Sequence, residues 1–137
     1  MTPEALAALA TRAYRHMTPW TAKQFADTLA RPHALLAVTQ HAFVLGTVIA
    51  DEAEILALAA DPDHQRMGAA SRALARFHAV AQDRGAGQVF LEVAAANAPA
   101  RAFYSRHGYS EIGLRRGYYP RPDGPPDDAV VMSRALP

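Results

Sequence analysis

A helical stretch between two strand-like runs constrains the fold of this 137-residue chain most strongly. Residues 68–84 carry apolar side chains at helical spacing, with Leu74 and Phe77 on one side. One short apolar run, 54–60, precedes this stretch, and another, 89–93, follows it. A strand that returns to the same sheet through a helix lies parallel to the strand it left. The sequence therefore predicts a mixed α/β (α+β) sheet with a parallel pair.

Helix caps and turn residues divide the rest of the chain. Thr2 precedes Pro3 in the order that starts a helix, and residues 21–24 have the form of a capping box. Asn97 caps a further helix that ends at Gly108. The remaining predictions are strands at 34–39, 43–50, 109–114 and 129–136, with an Arg- and Pro-rich loop at 115–128. No repeat or linker interrupts this order, so we predict one domain over residues 1–137.

The composition excludes several classes of function. The chain has 13 Arg and one Lys against 13 acidic residues, a formal net charge of +1, so we expect no bulk binding of nucleic acid. Without Cys it has no disulfide and no thiolate ligand, and its six scattered His predict no metal site. No apolar run reaches the roughly 18 residues of a membrane span, and the start does not resemble a signal peptide. We expect a cytoplasmic protein, monomeric or weakly dimeric, without a membrane partner.

The turn between the run at 54–60 and the helix from residue 68 is the most informative segment. The first N–H groups of a helix have no intrahelical partner, and the helix dipole is positive there. Small residues at 68–71 let a phosphate approach this backbone closely. The turn lacks the Gly-Lys-Ser/Thr of a nucleotide P-loop and the later glycines of a dinucleotide fingerprint. An anion site and an ordinary strand-to-helix turn both remain open on this pattern alone.

This turn and several later segments of the chain resemble a known family. Residues 65–70, Gln-Arg-Met-Gly-Ala-Ala, resemble the Gln/Arg-x-x-Gly-x-Gly/Ala motif of the GNAT acetyltransferases. Residues 115–124 resemble one branch, the bacterial RimI-like enzymes that acetylate the N-terminal alanine of a ribosomal protein. The resemblance runs from about Trp20 to the end of the chain. Further matches stand in the family's order and spacing at Leu91-Glu92-Val93, Asn97, Ala102-Phe103-Tyr104 and Gly108-Tyr109.

The resemblance implies a GNAT-like mixed central sheet flanked by helices and transfer of an acetyl group from acetyl-CoA to an amine. The implied acceptor is the N-terminal α-amino group of a protein. A lysine side chain, a small-molecule amine, or CoA binding with little activity are the alternatives. Family members usually begin with a strand before the first helix, and that strand is missing here, through loss or through a start site placed downstream of the true one.

The resemblance also implies a cofactor site. Backbone groups at the end of the strand before the turn pair with pantetheine in the family, and an amide there polarises the thioester carbonyl. In the family, the amides of this turn bind the pyrophosphate. Asn97 is implied to contact the pantetheine arm, although a plain helix cap is the simpler reading of that residue. The implied cofactor-binding residues are Leu58, Ala59, Ala60, Arg66, Met67, Gly68, Ala69, Ala70, Ser71 and Asn97.

Two residues are candidates for proton transfer. Glu92 lies in an otherwise apolar strand, where removal from water disfavours the charged carboxylate and strengthens it as a base. By resemblance it is the general base, acting directly or through water; a solvent-facing or ion-paired Glu is the alternative. Tyr104 is the implied general acid, because a phenol keeps its proton at neutral pH, and core packing is its alternative. Arg115, Tyr118 and Tyr119 are implied to contact the acceptor, or else form a basic surface loop.

Overall fold

The computed structural model describes residues 1–14, 19–64, 68–121 and 123–137. Within these residues, a six-stranded sheet carries helices on both faces. The helices are α1 (Pro3–Ala13), α2 (Ala22–Leu29), α3 (Ala69–Asp83) and α4 (Ala98–Arg106), with a 3-10 turn at Pro62–His64. The strands are β1 (Ala34–Thr39), β2 (Ala42–Ile49), β3 (Glu52–Ala60), β4 (Gln88–Ala94), β5 (Ser110–Tyr119) and β6 (Asp127–Ala135).

The sheet has the order β1-β2-β3-β4-β6-β5. β3 and β4 are parallel and are joined through α3, while the other described pairs are antiparallel. The predicted mixed sheet with a parallel pair at this crossover is therefore confirmed. The pairing of β3 with β4 runs from Glu52 and Gln88 to Ile55 and Leu91. Both strands continue beyond that point, to Ala60 and Ala94, so the sheet opens into a fork.

Two apolar cores lie on opposite faces of the sheet. The larger core contains Leu74 and Phe77 of α3, both fully buried. The smaller core brings Leu6 of α1 and Phe25 of α2 against Phe43 of β2. Burial of one such side chain contributes about 1.5–3 kcal/mol, so each helix is held by its apolar stripe against the sheet.

Gly46 lies where β2 passes beneath α3. A Cβ atom at this position would overlap the carbonyl oxygen of Glu54 and lie 2.7 Å from Cζ of the buried Phe77. We expect Gly46→Ala to lower the free energy of unfolding, measured in urea, by about 1–3 kcal/mol. Gly124→Ala is the control, because a Cβ there meets nothing within 4 Å. Equal stability of Gly46→Ala and the wild type would contradict this packing.

Three predicted helix starts are confirmed. The Thr2 and Asn97 side chains accept hydrogen bonds from the third residues of α1 and α4. Thr21 and Gln24 form the reciprocal capping box at the start of α2. Each cap satisfies a backbone donor that the helix leaves unpaired, which is worth about 1 kcal/mol.

Both predicted bounds of the loop at 115–128 are wrong. β5 continues to Tyr119 and β6 begins at Asp127, so the connection is short. Of the β5 residues, all but Tyr119 are exposed. An edge strand with little burial lacks the alternating apolar pattern that marks a strand in sequence. Pairing with β6, which the sequence does not display, sets its length.

The N-terminal part begins directly with a helix. Among the described residues no strand precedes α1. The predicted break of the first helix at 18–20 falls partly on residues 15–18, which lie outside the described residues. No described helix has both the length and the apolar content needed to span a membrane.

Candidate active site

A cavity of about 320 Å³ occupies the fork between β3 and β4. One wall is the end of β3, residues 55–58, and the other is the end of β4, residues 91–94. α4 contributes Tyr104 among others, and Tyr14 reaches the cavity from the end of α1. Because the strands no longer pair with each other here, their backbone groups are available to an extended ligand that enters the fork.

A bulge in β3 lies at the same place. The register with β2 passes from Gly46 opposite Ile55 to Leu45 opposite Ala57, which leaves Leu56 as an extra residue. Leu56 lines the cavity. An unpaired bulge residue beside an active site is a common way to aim backbone groups at a ligand. Three residues at the end of β3 were predicted to bind the cofactor. Leu58 lines this cavity, and Ala60 lines a second cavity, at the start of α3. Ala59 is buried on the other face of the sheet.

A second cavity of about 570 Å³ adjoins the start of α3. Gly68 has a φ of 74°, in the left-handed region that favours glycine, and precedes α3 without a side-chain cap. The N–H groups of Ala69, Ala70 and Ser71 therefore point out of the first helical turn without intrahelical partners. Gly68 and these three residues line the cavity, at the turn where the sequence predicts an anion site. Arg66 and Met67, also predicted here, lie outside the described residues.

A histidine joins the two helices that border this cavity. Nδ1 of His107 donates to the Phe103 carbonyl oxygen at 2.7 Å. In the neutral ring Nε2 is then an acceptor, and it receives the hydroxyl of Ser71 at 3.0 Å. The bond holds the start of α3 against the end of α4 and fixes the direction of the Ser71 hydroxyl.

Glu92 lies in β4 and lines the cavity in the fork. Its Oε1 accepts a hydrogen bond of 2.7 Å from Nη1 of Arg115 in β5. Its Oε2 is buried and has no hydrogen-bond partner among the described residues. A buried carboxylate oxygen that lacks a partner carries a desolvation cost unless another donor reaches it. The arrangement suits a donor that arrives with a ligand, such as an amine or water.

Tyr104 and Asn97 line the same cavity from α4. Tyr104 is 7% exposed and packs edge-to-face against Tyr109. Burial raises its pKa far above the usual value near 10, so the hydroxyl holds its proton at neutral pH. Asn97 Oδ1 accepts from the Ala100 N–H at 3.2 Å, which confirms its cap. That bond leaves the NH₂ group of Asn97 available as a donor.

The predicted acceptor residues form one cluster at the end of β5. The Arg115 guanidinium lies 4.0 Å from the centroid of the Tyr118 ring, and the Tyr118 and Tyr119 rings are 5.0 Å apart. Burial, with the negative charge of Glu92 as a smaller cause, raises the pKa of Tyr119 to about 12. The cluster therefore reaches Glu92 through Arg115, and the Tyr119 phenol keeps its proton at neutral pH.

Several residues near the cavities were missed by the sequence reasoning. Tyr14 directly follows α1 and lies beside the backbone of Leu58, and burial raises its pKa to about 12. Glu54, on β3, has a raised pKa because of burial and the charge of Glu92. Arg106 lines the cavity at the start of α3. None of the three stands in a motif, and only the tertiary arrangement brings them to the site.

The family model that matches this chain is the acetyltransferase (GNAT) family, over residues 5–109. The chain belongs to this family. Its enzymes take the acetyl group from acetyl-CoA, and this chain is an acetyltransferase of that class.

Relatives from bacteria narrow the comparison. Ribosomal protein bS18-alanine N-acetyltransferase of Escherichia coli K12 is 37% identical over 122 residues, which cover 86% of this chain and 82% of that protein. The crystal structure of the E. coli ribosomal-protein-S18-alanine N-acetyltransferase superposes with a TM-score of 0.86 at 35% identity, covering 98% of this chain and 87% of that one. A Bacillus anthracis protein solved in complex with acetyl coenzyme A shares the fold at a TM-score of 0.70 and 16% identity, covering 82% of this chain and 68% of that one.

Proposed function

We propose that this chain, acting as one domain, transfers the acetyl group of acetyl-CoA to the N-terminal α-amino group of a protein that begins with alanine. Ribosomal protein bS18 is the first candidate acceptor, since the E. coli relative is named for it. The observation that carries the proposal is Oε2 of Glu92, a buried oxygen with no hydrogen-bond partner within the described residues, on a side chain that lines the cavity in the fork. An incoming amine is a donor of the kind that this oxygen lacks.

The cofactor is proposed to lie along the two cavities. The N–H groups at the start of α3, from Ala69 to Ser71, hold the pyrophosphate, because unpaired amides and the helix dipole both favour an anion there. The arm of the cofactor follows the fork past Leu58 and the NH₂ group of Asn97. When bound, acetyl-CoA supplies a thioester that an amine can attack.

Glu92 is proposed to serve as the general base. The acceptor arrives as an ammonium, and it must lose a proton before its nitrogen can form a bond to the acetyl carbon. The free Oε2 of Glu92 takes this proton, directly or through water. Arg115 orients the carboxylate through Oε1 at 2.7 Å and leaves Oε2 without a partner among the described residues.

Tyr104 is proposed to serve as the general acid. As the new C–N bond forms, the C–S bond breaks and the sulfur leaves with the electron pair. The Tyr104 hydroxyl gives its proton to this thiolate, and the second proton that the nitrogen loses as the amide forms returns to the phenolate through solvent. Burial keeps the phenol protonated until that moment, since it raises the pKa of Tyr104.

Arg115, Tyr118 and Tyr119 are proposed to receive the first residues of the acceptor. The tyrosine rings offer apolar faces with hydroxyl groups at their ends, which suits a short peptide segment. The positive charge of Arg115 is engaged with Glu92 and the Tyr118 ring. The acceptor ammonium therefore meets the carboxylate beside a guanidinium whose charge is already neutralised.

A charge placed in the turn tests the cofactor site. Ala70→Asp puts a carboxylate in the first turn of α3, where an acid favours the helix dipole but repels a phosphate. We expect the KM for acetyl-CoA to rise about tenfold or more, while the thermal midpoint is not lowered. Ala5→Asp, an exposed change in the first turn of α1, is the matched control and leaves KM unchanged. An unchanged KM in Ala70→Asp would place the phosphates elsewhere.

The acceptor class is tested by the release of free CoA thiol with purified protein and acetyl-CoA. We expect turnover with a peptide that carries the N-terminal sequence of bS18 and none with the same peptide blocked at its N-terminus. Turnover with polyamines or aminoglycosides, and none with free N-terminal peptides, would replace this acceptor by a small-molecule amine. Thermal stabilisation by CoA without thiol release from any amine would instead indicate a CoA-binding module.

A further inference from the structure

Two histidines and an aspartate from two separate turns of the chain lie close together beside the cavity at the start of α3. They are His41, in the turn between β1 and β2, Asp61, directly after β3, and His64, in the 3-10 turn. One potential ligand atom from each lies within 4.8 Å of the others, and all three residues are half-buried. The cluster plays no part in the proposed acetyl transfer.

The backbone fixes the positions of these residues. The Asp61 N–H donates to the carbonyl oxygen of His41 at 2.7 Å, and the His64 N–H donates to that of Asp61 at 3.0 Å. Asp61 follows a strand that pairs with β2 up to Ala60. The side chains therefore start from a rigid frame, and little conformational entropy remains to be lost when a ligand joins them.

The side-chain atoms differ in what already engages them. Asp61 Oδ1 accepts from Nη2 of Arg12 at 2.7 Å and from the Asp63 N–H at 2.9 Å. Asp61 Oδ2 accepts from Nη1 of Arg12 at 3.4 Å and lies 3.3 Å from Nδ1 of His64. That nitrogen is buried and has no well-aligned hydrogen bond within the part of the chain that the structure describes. Oδ2 and Nδ1 thus form a close pair of potential metal-ligand atoms, and each can take a further partner.

We propose that His41, Asp61 and His64 bind a zinc ion, with a water molecule as the fourth ligand. Two imidazole nitrogens and one carboxylate oxygen are a donor set that suits zinc in a four-coordinate site. The same set suits magnesium and calcium poorly, because these hard cations require several oxygen ligands. The Asp61 carboxylate is ionised at neutral pH, since the Asp63 N–H and Arg12 lower its pKa.

Binding requires one local movement. The rings of His41 and His64 are stacked, with centroids 3.7 Å apart and planes within 8° of parallel. The nitrogen lone pairs of parallel rings lie in parallel planes and do not converge on one ion. The His41 ring, in a turn, must rotate about its Cβ–Cγ bond, so zinc binding breaks the stack.

The location gives the site a consequence for stability. His64 also lines the cavity at the start of α3. A zinc ion would link the turn between β1 and β2 to the segment that leads into the phosphate turn. Since the folded protein gathers these ligands and the unfolded chain does not, zinc is expected to raise the thermal midpoint.

The test is titration of zinc into metal-free protein from which any affinity tag has been removed, followed by calorimetry. We expect one equivalent to bind to the wild type. His41→Ala and His64→Ala should each weaken binding by about tenfold or more, because each loses a ligand. His33→Ala is the matched control, because this exposed histidine lies outside the cluster. Magnesium should not bind in the same titration.

The thermal midpoint of the same variants gives a second readout, independent of acetyl transfer. Zinc should raise the midpoint of the wild type and of His33→Ala, and should raise that of His41→Ala less, because this variant binds zinc more weakly. Circular dichroism without zinc checks that the variants fold. The site is wrong if the folded wild type binds zinc no more tightly than the double variant His41→Ala/His64→Ala. It is equally wrong if His33→Ala weakens binding as much as the cluster variants do.

Discussion

Glu92→Gln is expected to lower kcat by about 10²- to 10⁴-fold, the contribution of one positioned proton-transfer group. Glutamine keeps the size of the side chain, and its amide oxygen still accepts from Arg115, but no group remains to take the proton of the ammonium. The KM for acetyl-CoA should stay near the wild-type value, because the phosphate turn lies on α3 and not on β4. Steady-state thiol release with an alanine peptide measures both constants.

Glu111→Gln provides the matched control for this variant. Glu111 is a carboxylate on β5 that pairs with Arg101 at 2.6 Å, much as Glu92 pairs with Arg115 at 2.7 Å. Loss of this exposed ion pair should leave kcat near the wild-type value, since such pairs contribute about 0–1 kcal/mol to stability. If Glu92→Gln retained the turnover of Glu111→Gln, the base would have to be sought elsewhere, with Glu54 as the next carboxylate.

Tyr104→Phe is the second change with a large expected effect. It removes only a hydroxyl from a ring that keeps its packing against Phe103 and Tyr109. Without the proton that the phenol supplies, the thiolate leaves poorly, and we expect kcat to fall by about 10²- to 10⁴-fold. The thermal midpoint should change little, because the ring remains buried.

Tyr109→Phe separates this chemical effect from a packing effect. Tyr109 is also buried, and its hydroxyl contacts Nε2 of His78 at 2.7 Å, away from the cavity in the fork. Its substitution should lower stability through the lost hydrogen bond, by about 0.5–1.5 kcal/mol, and leave kcat close to wild type. Equal kcat values in the two variants would remove Tyr104 from the proposed mechanism.

The sequence predicted the fold wherever local signals act alone. Caps such as Thr21 and Asn97 satisfy donors within their own helix, so a short segment contains the whole interaction. The parallel pair followed from the helix between two apolar runs, because a crossover leaves few alternatives. The predicted end of β5 was wrong because no local signal marks it. Its residues are exposed on an edge, and only pairing with β6 defines the strand.

The residues of the candidate site likewise fall into those that the sequence indicated and those that only the tertiary structure reveals. The resemblance in sequence pointed to Glu92 and Tyr104, and the structure brings both to the cavity in the fork. The sequence did not indicate that Arg115 would hold Oε1 of Glu92, since 23 positions separate the two residues. Tyr14 was missed for a similar reason, because its contact with Leu58 depends on how α1 packs against β3.

The expectation that no metal site exists rested on the spacing of histidines in the sequence. His41 and His64 are far apart along the chain, and spacing reveals only ligands that share a helix or a loop. The antiparallel pairing of β2 with β3 brings the two ends of this hairpin together, with Ala42 opposite Ala60. The cluster with Asp61 is thus a product of strand register, which local patterns do not encode.

Tandem mass spectrometry of the acetylated product tests the central claim most directly. The substrate is a peptide that begins with alanine and contains an internal lysine, incubated with purified protein and acetyl-CoA. The proposed function predicts that the added acetyl mass lies on the first residue, and that it is absent when Glu92→Gln replaces the wild type under the same conditions. An acetyl group on the lysine, or an unmodified peptide after prolonged incubation with the wild type, would contradict it.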